Sequence, residues 1–388
     1  MTAASQTATL TGFAVLPADT FRPGPTSGQF IQTANERHPP FMDQQPVQGF
    51  SALIKGENGT YIVLSDNGFG ARDNSSDYLL SIYHIQPDFR TANGGTGGIR
   101  IGDIIHLRDP EFFLPYPAAR TLEQDKTGTG NQTGPDTRLL TGADLDPESF
   151  RRVPDGSYWI GEEFIPSLLH FSGDGVMLAS PYQLAGLNAV DNPTGEAANL
   201  PRSRGFEGMA ISPDGKWLYP MLEGALEDEG PALNIYTFDI EEKLFVNINA
   251  GTPSYRYRLC EDASAIGDFT MFSKTAGLIL ERDSGQGDKA LLKHVYRVDF
   301  EQLDEDGYLR KTLVADLLNI QDPHDLNQDG NQLFSFPFQT IEGLVVLSPT
   351  TLGIVNDNNY PFGHARDDSG AQPDNSEFIL IQVDPLWD

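Results

Sequence analysis

Residues 205–224 read GFEGMAISPDGKWLYPMLEG, two short hydrophobic segments joined by the turn Pro213-Asp214-Gly215. Apolar runs of this length around a Pro-Asp-Gly turn predict a β-hairpin. Glu207 stands near the start of the first strand, and Glu223 closes the second strand. Because the start of the first strand and the end of the second lie at one edge of a hairpin, we expect the two carboxylates on the same side of the sheet.

The same arrangement occurs five times along the chain. Turns such as Pro154-Asp155-Gly156 and Asp174-Gly175 recur between strands, and only residues 185–198 suggest a short helix. The paired segments are GFSALI (49–54) with VLSDNG (63–68), DPESFRRV (146–153) with WIGEEF (159–164), GFEGMAI (205–211) with YPMLEG (219–224), GDFTMF (267–272) with LILERD (278–283), and IEGLVVL (341–347) with GIVNDNN (353–359). Repeated units of about four short strands are typical of a β-propeller with loop insertions.

The sequence therefore predicts an all-β fold, a β-propeller with five clear four-stranded blades. A sixth blade has room in residues 101–140 or 184–201. The last unit ends after EFILIQVD (377–384), so we expect the N-terminal stretch TLTGFAVLP (9–17) to supply its fourth strand and close the ring. No low-complexity linker divides the chain, and we treat residues 1–388 as one domain.

The charge balance restricts the partners that the chain can have. Its 26 Lys and Arg residues face 55 Asp and Glu residues, which gives a net charge of −29. This excess disfavours nucleic acid and anionic membranes, and it repels phosphate unless bound divalent cations reverse the local field. No apolar run reaches membrane-spanning length, and no signal peptide is recognisable at the N-terminus. The single cysteine, Cys260, excludes an intrachain disulfide and a thiolate metal site.

Repetition of the hairpin around a ring should bring nine carboxylates to one opening. They are Asp66, Glu148, Glu163, Glu207, Glu223, Asp268, Glu281, Glu342 and Asp357. So many carboxylates share a small space only if cations neutralise them or some stay protonated. Oxygen donors with few histidines favour Ca²⁺, or Mg²⁺, over Zn²⁺. The alternative for any single residue is structural, a carboxylate that accepts backbone N–H groups of a neighbouring blade.

A second calcium signal lies in the sequence Asp325-x-Asn327-x-Asp329-Gly330. This spacing matches the first half of an EF-hand loop. Phe336 stands where the twelfth-position glutamate would be, which excludes a complete EF-hand. We therefore predict a second calcium loop at Asp325, Asn327 and Asp329, and the alternative is a polar turn with Gly330 at positive φ.

Several longer motifs resemble the phytase-like family described as having esterase-like activity. They are DPESFRRVPDGSYWIGEEFIPSLLHF (146–171), SRGFEGMAISPDGKWLY (203–219), LILERD (278–283), HVYRVD (294–299), KTLVADL (311–317) and IEGLVVL…GIVNDNN (341–359). The resemblance runs in order from about residue 49 to residue 384 and implies phosphoester hydrolysis and a periplasmic or extracellular location. Carried over to this chain, it marks as acidic site positions Glu148, Glu207 and Glu342, with Glu163, Glu281-Arg282-Asp283 and Asn356-Asp357 at the paired strand ends.

These observations predict a divalent-metal-dependent hydrolase, with calcium as the expected metal, that acts on a small-molecule phosphoric ester as a monomer. Bound cations would hold phosphate oxygens and acidify a bound water. Arg282 or Arg204 would contact phosphate, and one of Glu207, Glu281 or Glu342 would act as general base. Two alternatives remain open: a calcium-dependent lactonase or carboxylesterase propeller, and a propeller that binds a ligand or protein without catalysis.

Overall fold

The computed structural model describes residues 8–114, 138–192, 195–227, 229–247, 249–367 and 369–387. These residues form β-strands, two 3₁₀ turns at Arg72–Asn74 and Gly287–Lys289, and no α-helix. In chain order the strands are β1 (Thr9–Leu16), β2 (Phe21–Pro23), β3 (Gln44–Pro46), β4 (Phe50–Lys55), β5 (Tyr61–Ser65), β6 (Ser81–Asp88), β7 (Gly98–His106), β8 (Pro147–Arg152), β9 (Tyr158–Glu162), β10 (Ser167–Phe171), β11 (Tyr182–Gln183), β12 (Phe206–Ile211), β13 (Trp217–Leu222), β14 (Ala232–Ile235), β15 (Phe238–Asp239), β16 (Leu244–Phe245), β17 (Tyr255–Arg258), β18 (Ala265–Met271), β19 (Ala276–Arg282), β20 (Lys293–Leu303), β21 (Leu309–Asp316), β22 (Ile320–Gln321), β23 (Leu333–Phe334), β24 (Ile341–Ser348), β25 (Thr351–Asn356) and β26 (Ser376–Gln382).

The strands pair into five antiparallel blades. From the innermost strand outward, the blades are β4-β5-β6-β7, β8-β9-β10-β11, β12-β13 with β14-β17 and β15-β16, β18-β19-β20-β21, and β24-β25-β26-β1. In blade 3 the third strand is broken into β14 and β15, which are hydrogen-bonded to different parts of β13. The turns predicted from Pro-Asp-Gly are present, since Gly156 and Gly215 have φ of 90° and 70°, which glycine adopts readily.

The ring closes with five blades among the described residues. The innermost strands contact one another in the order β4, β8, β12, β18 and β24, and β24 contacts β4 again. The described parts of residues 101–140 and 184–201 therefore add no sixth blade; residues 115–137 and 193–194 lie outside the described residues. The short helix suggested for residues 185–198 is not formed in the part that is described, which makes isolated bridges instead, such as Ala185 with Asn249.

The N-terminal strand completes the last blade, as the sequence predicts. Strand β1 runs antiparallel to β26, from Thr9 opposite Gln382 to Leu16 opposite Ser376. It also meets the outer strand of blade 1, where Val15 pairs in parallel with Gly98. The first residues of the propeller thus join its last blade to its first, and the ring is closed by hydrogen bonds.

The hydrophobic core lies between neighbouring blades, and strands buried on both faces account for the long apolar runs of the sequence. Between blades 2 and 3, the ring of Trp159 packs against that of Phe238 with centroids 5.0 Å apart. Both side chains are fully buried. These contacts fix the angle at which the innermost strands face the central channel.

Every innermost strand carries a β-bulge at the same place. The pairing with the second strand skips one residue in each blade, and the skipped residues are Ser51, Glu148, Glu207, Gly267 and Glu342. A bulge leaves the extra residue out of the hydrogen-bonded ladder and re-aims its side chain. The repeated bulge therefore positions three glutamates at one mouth of the channel.

The structure also bears on membrane association. Within the described ranges there is no helix with the length and apolar character needed to cross a bilayer.

Candidate functional site

One mouth of the propeller holds a cavity of about 370 Å³, which we call the acidic basin. Its lining includes eight carboxylates: Asp66, Asp146, Glu148, Glu163, Glu207, Glu223, Glu342 and Asp357. None of these residues is more than 8% exposed. Seven of the nine carboxylates predicted from the sequence thus lie together, and Asp146 joins them.

Two positions of the repeat build the basin. The first is the bulge residue, which lines the cavity in blades 2, 3 and 5 as Glu148, Glu207 and Glu342. The second position lies at the end of the neighbouring strand. It directly follows the residue that is paired with the last inner-strand residue before the bulge. In the five blades the second positions are Asp66, Glu163, Glu223, Arg282 and Asp357. All five line the cavity. Blade 4 therefore contributes a cation where the other four blades contribute a carboxylate.

Blade 4 differs at its bulge as well. A Cβ atom at Gly267 would lie 1.9 Å from the carbonyl oxygen of Ile341, so no side chain fits at this position. The sequence pattern predicts that Asp268 is equivalent to the bulge glutamates, but Asp268 lies one residue after the bulge residue of its strand, Gly267. Its carboxylate pairs with Arg151 at 3.0 Å and accepts the N–H of Leu344 at 2.9 Å. Asp268 therefore spans the channel from blade 4 to blades 2 and 5 and lies outside the basin.

Glu281 also lies outside the basin. Successive side chains of a strand point to opposite faces, and because Arg282 faces the basin, Glu281 faces away. Its buried carboxylate accepts the hydroxyl of Tyr257 and the N–H of Cys260, and it forms an ion pair with Lys311. The structure thus corrects the predicted location of Glu281, which is held by Lys311 of its own blade and by Tyr257 of blade 3.

Asn356 occupies the position that corresponds to Glu281 in blade 5. Its amide group donates to the carbonyl oxygens of Asp357 and Asn375, each at 3.1 Å, and its side-chain oxygen accepts the N–H of Glu377. These bonds fix the loop after β25, so Asn356 is placed beside the basin rather than in its lining. Asp283, next to Arg282, forms an ion pair of 2.9 Å with Lys293.

The basin contains two arginines in different surroundings. Nη2 of Arg282 lies 3.0 Å from Glu223, 3.2 Å from Glu342 and 3.4 Å from Glu207. The Arg204 guanidinium is 2.6 Å from the other oxygen of Glu223, and its side chain is 37% exposed. Burial lowers the pKa of Arg282, but the surrounding carboxylates raise it by more. The net pKa is above its usual value, so Arg282 remains a cation. Arg282 is thus a deep counter-ion, and Arg204 is a cation at the rim.

Burial makes most of the basin carboxylates hard to ionise. Removal from water raises the pKa of Glu342 to about 8, although Arg282 opposes the shift, and it raises the pKa of Asp357 to about 6. Burial, with repulsion from neighbouring carboxylates, also raises the pKa of Glu148 and Glu163. Charges of one sign in a small desolvated space must be neutralised by protons or by cations.

The geometry suits a hard divalent cation. Three sets of carboxylate oxygens each lie within 4.8 Å of one another: Asp146, Glu148 and Glu163; Glu148, Glu207 and Glu342; Glu163, Glu207 and Glu223. Two oxygens at about 2.4 Å from one Ca²⁺ are at most about 4.8 Å apart, so each set fits around a common ion. All the donors are oxygens, as Ca²⁺ and Mg²⁺ prefer. The buried acidic clusters can therefore bind a metal ion.

Asp146 is the site residue that the hairpin pattern missed. It lies two residues before the bulge glutamate of blade 2, and its carboxylate accepts the backbone and side-chain N–H groups of Asn67, at 3.2 and 2.8 Å. The signal was present in the quoted segment DPESFRRV, whose first residue it is. At this position blades 1 and 3 have Gly49 and Gly205, so the five-fold repeat gave no reason to select it.

The second predicted calcium loop is closed by its own hydrogen bonds. Asp325 Oδ1 accepts the N–H of Gly330 at 3.0 Å, and the Asn327 amide donates to Asp329 at 2.8 Å. Gly330 has a φ of 82°, as expected for the tight polar turn. Calcium binding by Asp325, Asn327 and Asp329 stays a prediction.

A larger cavity, of about 660 Å³, lies at the opposite mouth of the channel. It is lined by hairpin-turn residues of four blades, including Lys55, Arg152, Ile211 and Phe272. Its acidic residues, Glu57 and Asp214, do not belong to any of the candidate metal groups. Size alone would favour this cavity, but convergent ionisable groups make the acidic basin the candidate functional site.

Comparison with known proteins finds a sequence relative that matches part of the chain and solved structures that match most of it. An uncharacterized secreted protein of Arthroderma benhamiae is 28% identical over 134 residues, which are 29% of this chain and 26% of that protein. The match thus spans about a quarter of the relative's length. Among solved structures, a luciferin-regenerating enzyme has 12% identity and a TM-score of 0.38 and covers 88% of this chain and 81% of its own. A gluconolactonase from Xanthomonas campestris has 12% identity and a TM-score of 0.37, with 95% and 97% covered.

The sequence model of the phytase-like family matches residues 45–360. The matched region begins before the first blade and ends just beyond the Asn356-Asp357 strand end of the last one. It includes all eight basin carboxylates. The family resemblance predicted from the motifs is therefore confirmed, and the chain belongs to the phytase-like family described as "esterase-like activity of phytase".

Proposed function

We propose that the protein hydrolyses small-molecule phosphoric esters with the help of divalent cations bound in the acidic basin, with Ca²⁺ as the first choice and Mg²⁺ as the second. The observation that carries this proposal is the convergence of eight buried carboxylates on one cavity at the propeller mouth. The family supplies the esterase-like reaction class. The oxygen-only donor set favours a hard cation.

The basin needs a cation for this chemistry. Eight carboxylates with two arginines repel phosphate, and a bound cation reverses the local field. When bound, the cation supplies Lewis acidity and a more acidic water. The carboxylates of the chain would orient it and exclude bulk water, because they are almost completely buried.

The remaining groups have distinct proposed roles. Arg204 stands at the rim with a partly exposed side chain, which suits a first contact with a phosphate oxygen. Arg282, deeper in the basin, would balance the charge that develops on the ester. Glu342 would act as general base, because its pKa of about 8 keeps proton transfer feasible near neutral pH.

We further propose that the protein acts as a monomer outside the cytoplasm, in the periplasm or extracellularly. The name of the Arthroderma benhamiae relative as a secreted protein supports an exported location, as does the use of a single cysteine. No nucleic-acid or membrane partner is proposed, because the net charge of −29 opposes both.

The proposal is tested by parallel assays on p-nitrophenyl phosphate, bis-p-nitrophenyl phosphate, p-nitrophenyl acetate and gluconolactone. We expect turnover of at least one phosphate ester, loss of activity in excess EGTA and recovery on Ca²⁺ addition. Glu207→Gln and Glu342→Gln should each reduce kcat by about 100-fold or more, while the exposed Glu57→Gln should not. Turnover of the lactone or acetate alone would assign a different ester class. Phosphatase activity unaffected by EGTA would refute the metal mechanism.

A further inference from the structure

The carboxylates of the acidic basin are not equally compensated. Asp146, Glu148 and Glu163 form no ion pair with any lysine or arginine in the described ranges. Glu148 and Glu163 are 8% and 6% exposed, and neither side chain accepts an N–H donor within the part of the chain that is described; their hydrogen-bonding neighbours are other carboxyls, Asp146 for both and Glu223 for Glu163. Buried carboxylates without a donor or a counter-ion are unfavourable as anions.

The opposite side of the basin already has counter-ions. The single Nη2 atom of Arg282 contacts Glu207, Glu223 and Glu342 at 3.0 to 3.4 Å. Glu223 also accepts Arg204. The guanidinium that serves these carboxylates therefore enters from blade 4, where the other blades place a carboxylate.

The three candidate metal groups differ in their overlap with this guanidinium. The set Glu148, Glu207 and Glu342 has two members bound to Arg282, and the set Glu163, Glu207 and Glu223 also has two. Only the set Asp146, Glu148 and Glu163 has none. A guanidinium and a divalent cation compete for the same carboxylate lone pairs and repel each other, so the two shared sets are weakened as metal sites.

We propose that the tightly bound cation occupies the Asp146–Glu148–Glu163 group, and that Arg282 is a built-in counter-ion that limits the basin to one such cation. This inference rests on the proposed function and specifies its metal site. The metal is held by blade 2, the guanidinium enters from blade 4, and Glu207 lies beside both. An anionic substrate would then bind between the metal ion on one side and the Arg282 guanidinium on the other.

The test is calcium binding to the full chain, stripped with EGTA and desalted, measured by isothermal titration calorimetry. We expect one tight site in the native protein. Asp146→Asn and Glu163→Gln should each weaken it by at least about tenfold, since even outer-shell changes around metals cost about 10–100-fold. Glu223→Gln, matched in chemistry but paired with the arginines, should change it by less than about threefold. Arg282→Met should add a second calcium site, and Arg282→Lys, which keeps the charge, should not.

The outcomes separate this inference from the proposed function. No binding of Ca²⁺, Mg²⁺ or Mn²⁺ by the native protein would overturn both. Two or more equally tight sites in the native protein, or an unchanged affinity in Asp146→Asn, would overturn only the assignment of the site. The comparison of Glu163→Gln with Glu223→Gln remains decisive if Arg282→Met does not fold, because equal effects of the two variants would contradict the division of the basin.

Discussion

Replacing Arg282 by methionine removes the only cation of the described ranges that contacts three basin carboxylates at once, while it keeps most of the apolar length of the side chain. Only 10% of the arginine side chain is exposed, and Nη2 lies within 3.4 Å of Glu207, Glu223 and Glu342. We expect the variant, without added metal, to be strongly destabilised at neutral pH. Loss of one partner leaves the other charges buried and uncompensated.

The magnitude follows from two opposing effects. At an effective dielectric constant of about 20, a charge pair at about 4 Å is worth about 4 kcal/mol, so three contacts would give roughly 12 kcal/mol. The net loss is smaller, because the native arginine is itself desolvated and because unpaired glutamates take up protons. Removal of one member of a buried pair costs about 3–5 kcal/mol, and we expect a decrease of that size in the free energy of unfolding at pH 7.5.

The pH dependence gives the prediction its sign. The Glu342 carboxyl has a pKa of about 8 even with Arg282 in place, so it is largely protonated at pH 5.5. At that pH fewer charges remain for the arginine to neutralise, and the difference between variant and native protein should shrink to about 1–2 kcal/mol. Urea unfolding in EGTA at both pH values measures this difference in the free energy of unfolding. Arg204→Met, which removes a 37% exposed cation from the same basin, is the control and should cost less than about 1 kcal/mol. Equal losses for the two variants, or a larger loss at pH 5.5, would refute the reasoning.

Three further predictions concern the metal, the ring and the misplaced glutamate. In EGTA the free energy of unfolding of the native protein should fall as the pH rises from 5 to 8. The pKa values of Asp357 (about 6) and Glu342 (about 8) are raised, so the folded state holds protons that the unfolded chain has released. Ca²⁺ should therefore raise Tm more at pH 8 than at pH 5, and the opposite order would contradict this. Deletion of residues 1–16 removes the fourth strand of blade 5 and its bridge to blade 1, so circular dichroism should show a Tm lower by about 10 °C or more, whereas an unchanged Tm would mean that β1 does not close the ring. Glu281→Gln should reduce the free energy of unfolding by about 1–3 kcal/mol through its bonds to Tyr257 and Lys311, while calorimetry finds calcium affinity unchanged; a loss of affinity would return Glu281 to the metal site.

The architecture could be predicted because each blade repeats one local pattern. An apolar strand, a Pro-Asp-Gly or similar turn and a second apolar strand are readable without knowledge of distant contacts. The use of TLTGFAVLP to complete the last blade followed from the missing strand after residue 384, and the structure confirms it. The number of blades was less certain, since long loops interrupt the repeat, and only the contact between β24 and β4 fixes the count among the described residues.

The strand face to which each site residue points, which we call its phase, is harder to predict than the fold. In a regular strand the side chains alternate between two faces, so an error of one residue moves a side chain to the wrong face. The bulge in each inner strand shifts this phase locally, and nothing in a single sequence marks which residue is skipped. The sequence favours aligning Asp268 with Glu207 because each is the one acidic residue near the start of an apolar segment, but the skipped residue of blade 4 is Gly267. Glu281 was assigned to the basin by the same one-residue error.

The departure of blade 4 from the repeat has a physical reason. With a carboxylate in place of Arg282 and a glutamate in place of Gly267, all five blades would be alike at the second position, and the basin would hold still more negative charge. The close approach of Ile341 forbids a side chain at Gly267, and the cation at Arg282 neutralises carboxylates from blades 3 and 5. The repeat therefore sets where charged groups converge, and the cation of blade 4 determines which of them stay uncompensated. The proposed metal ion would supply positive charge where this cation does not reach, at Asp146, Glu148 and Glu163.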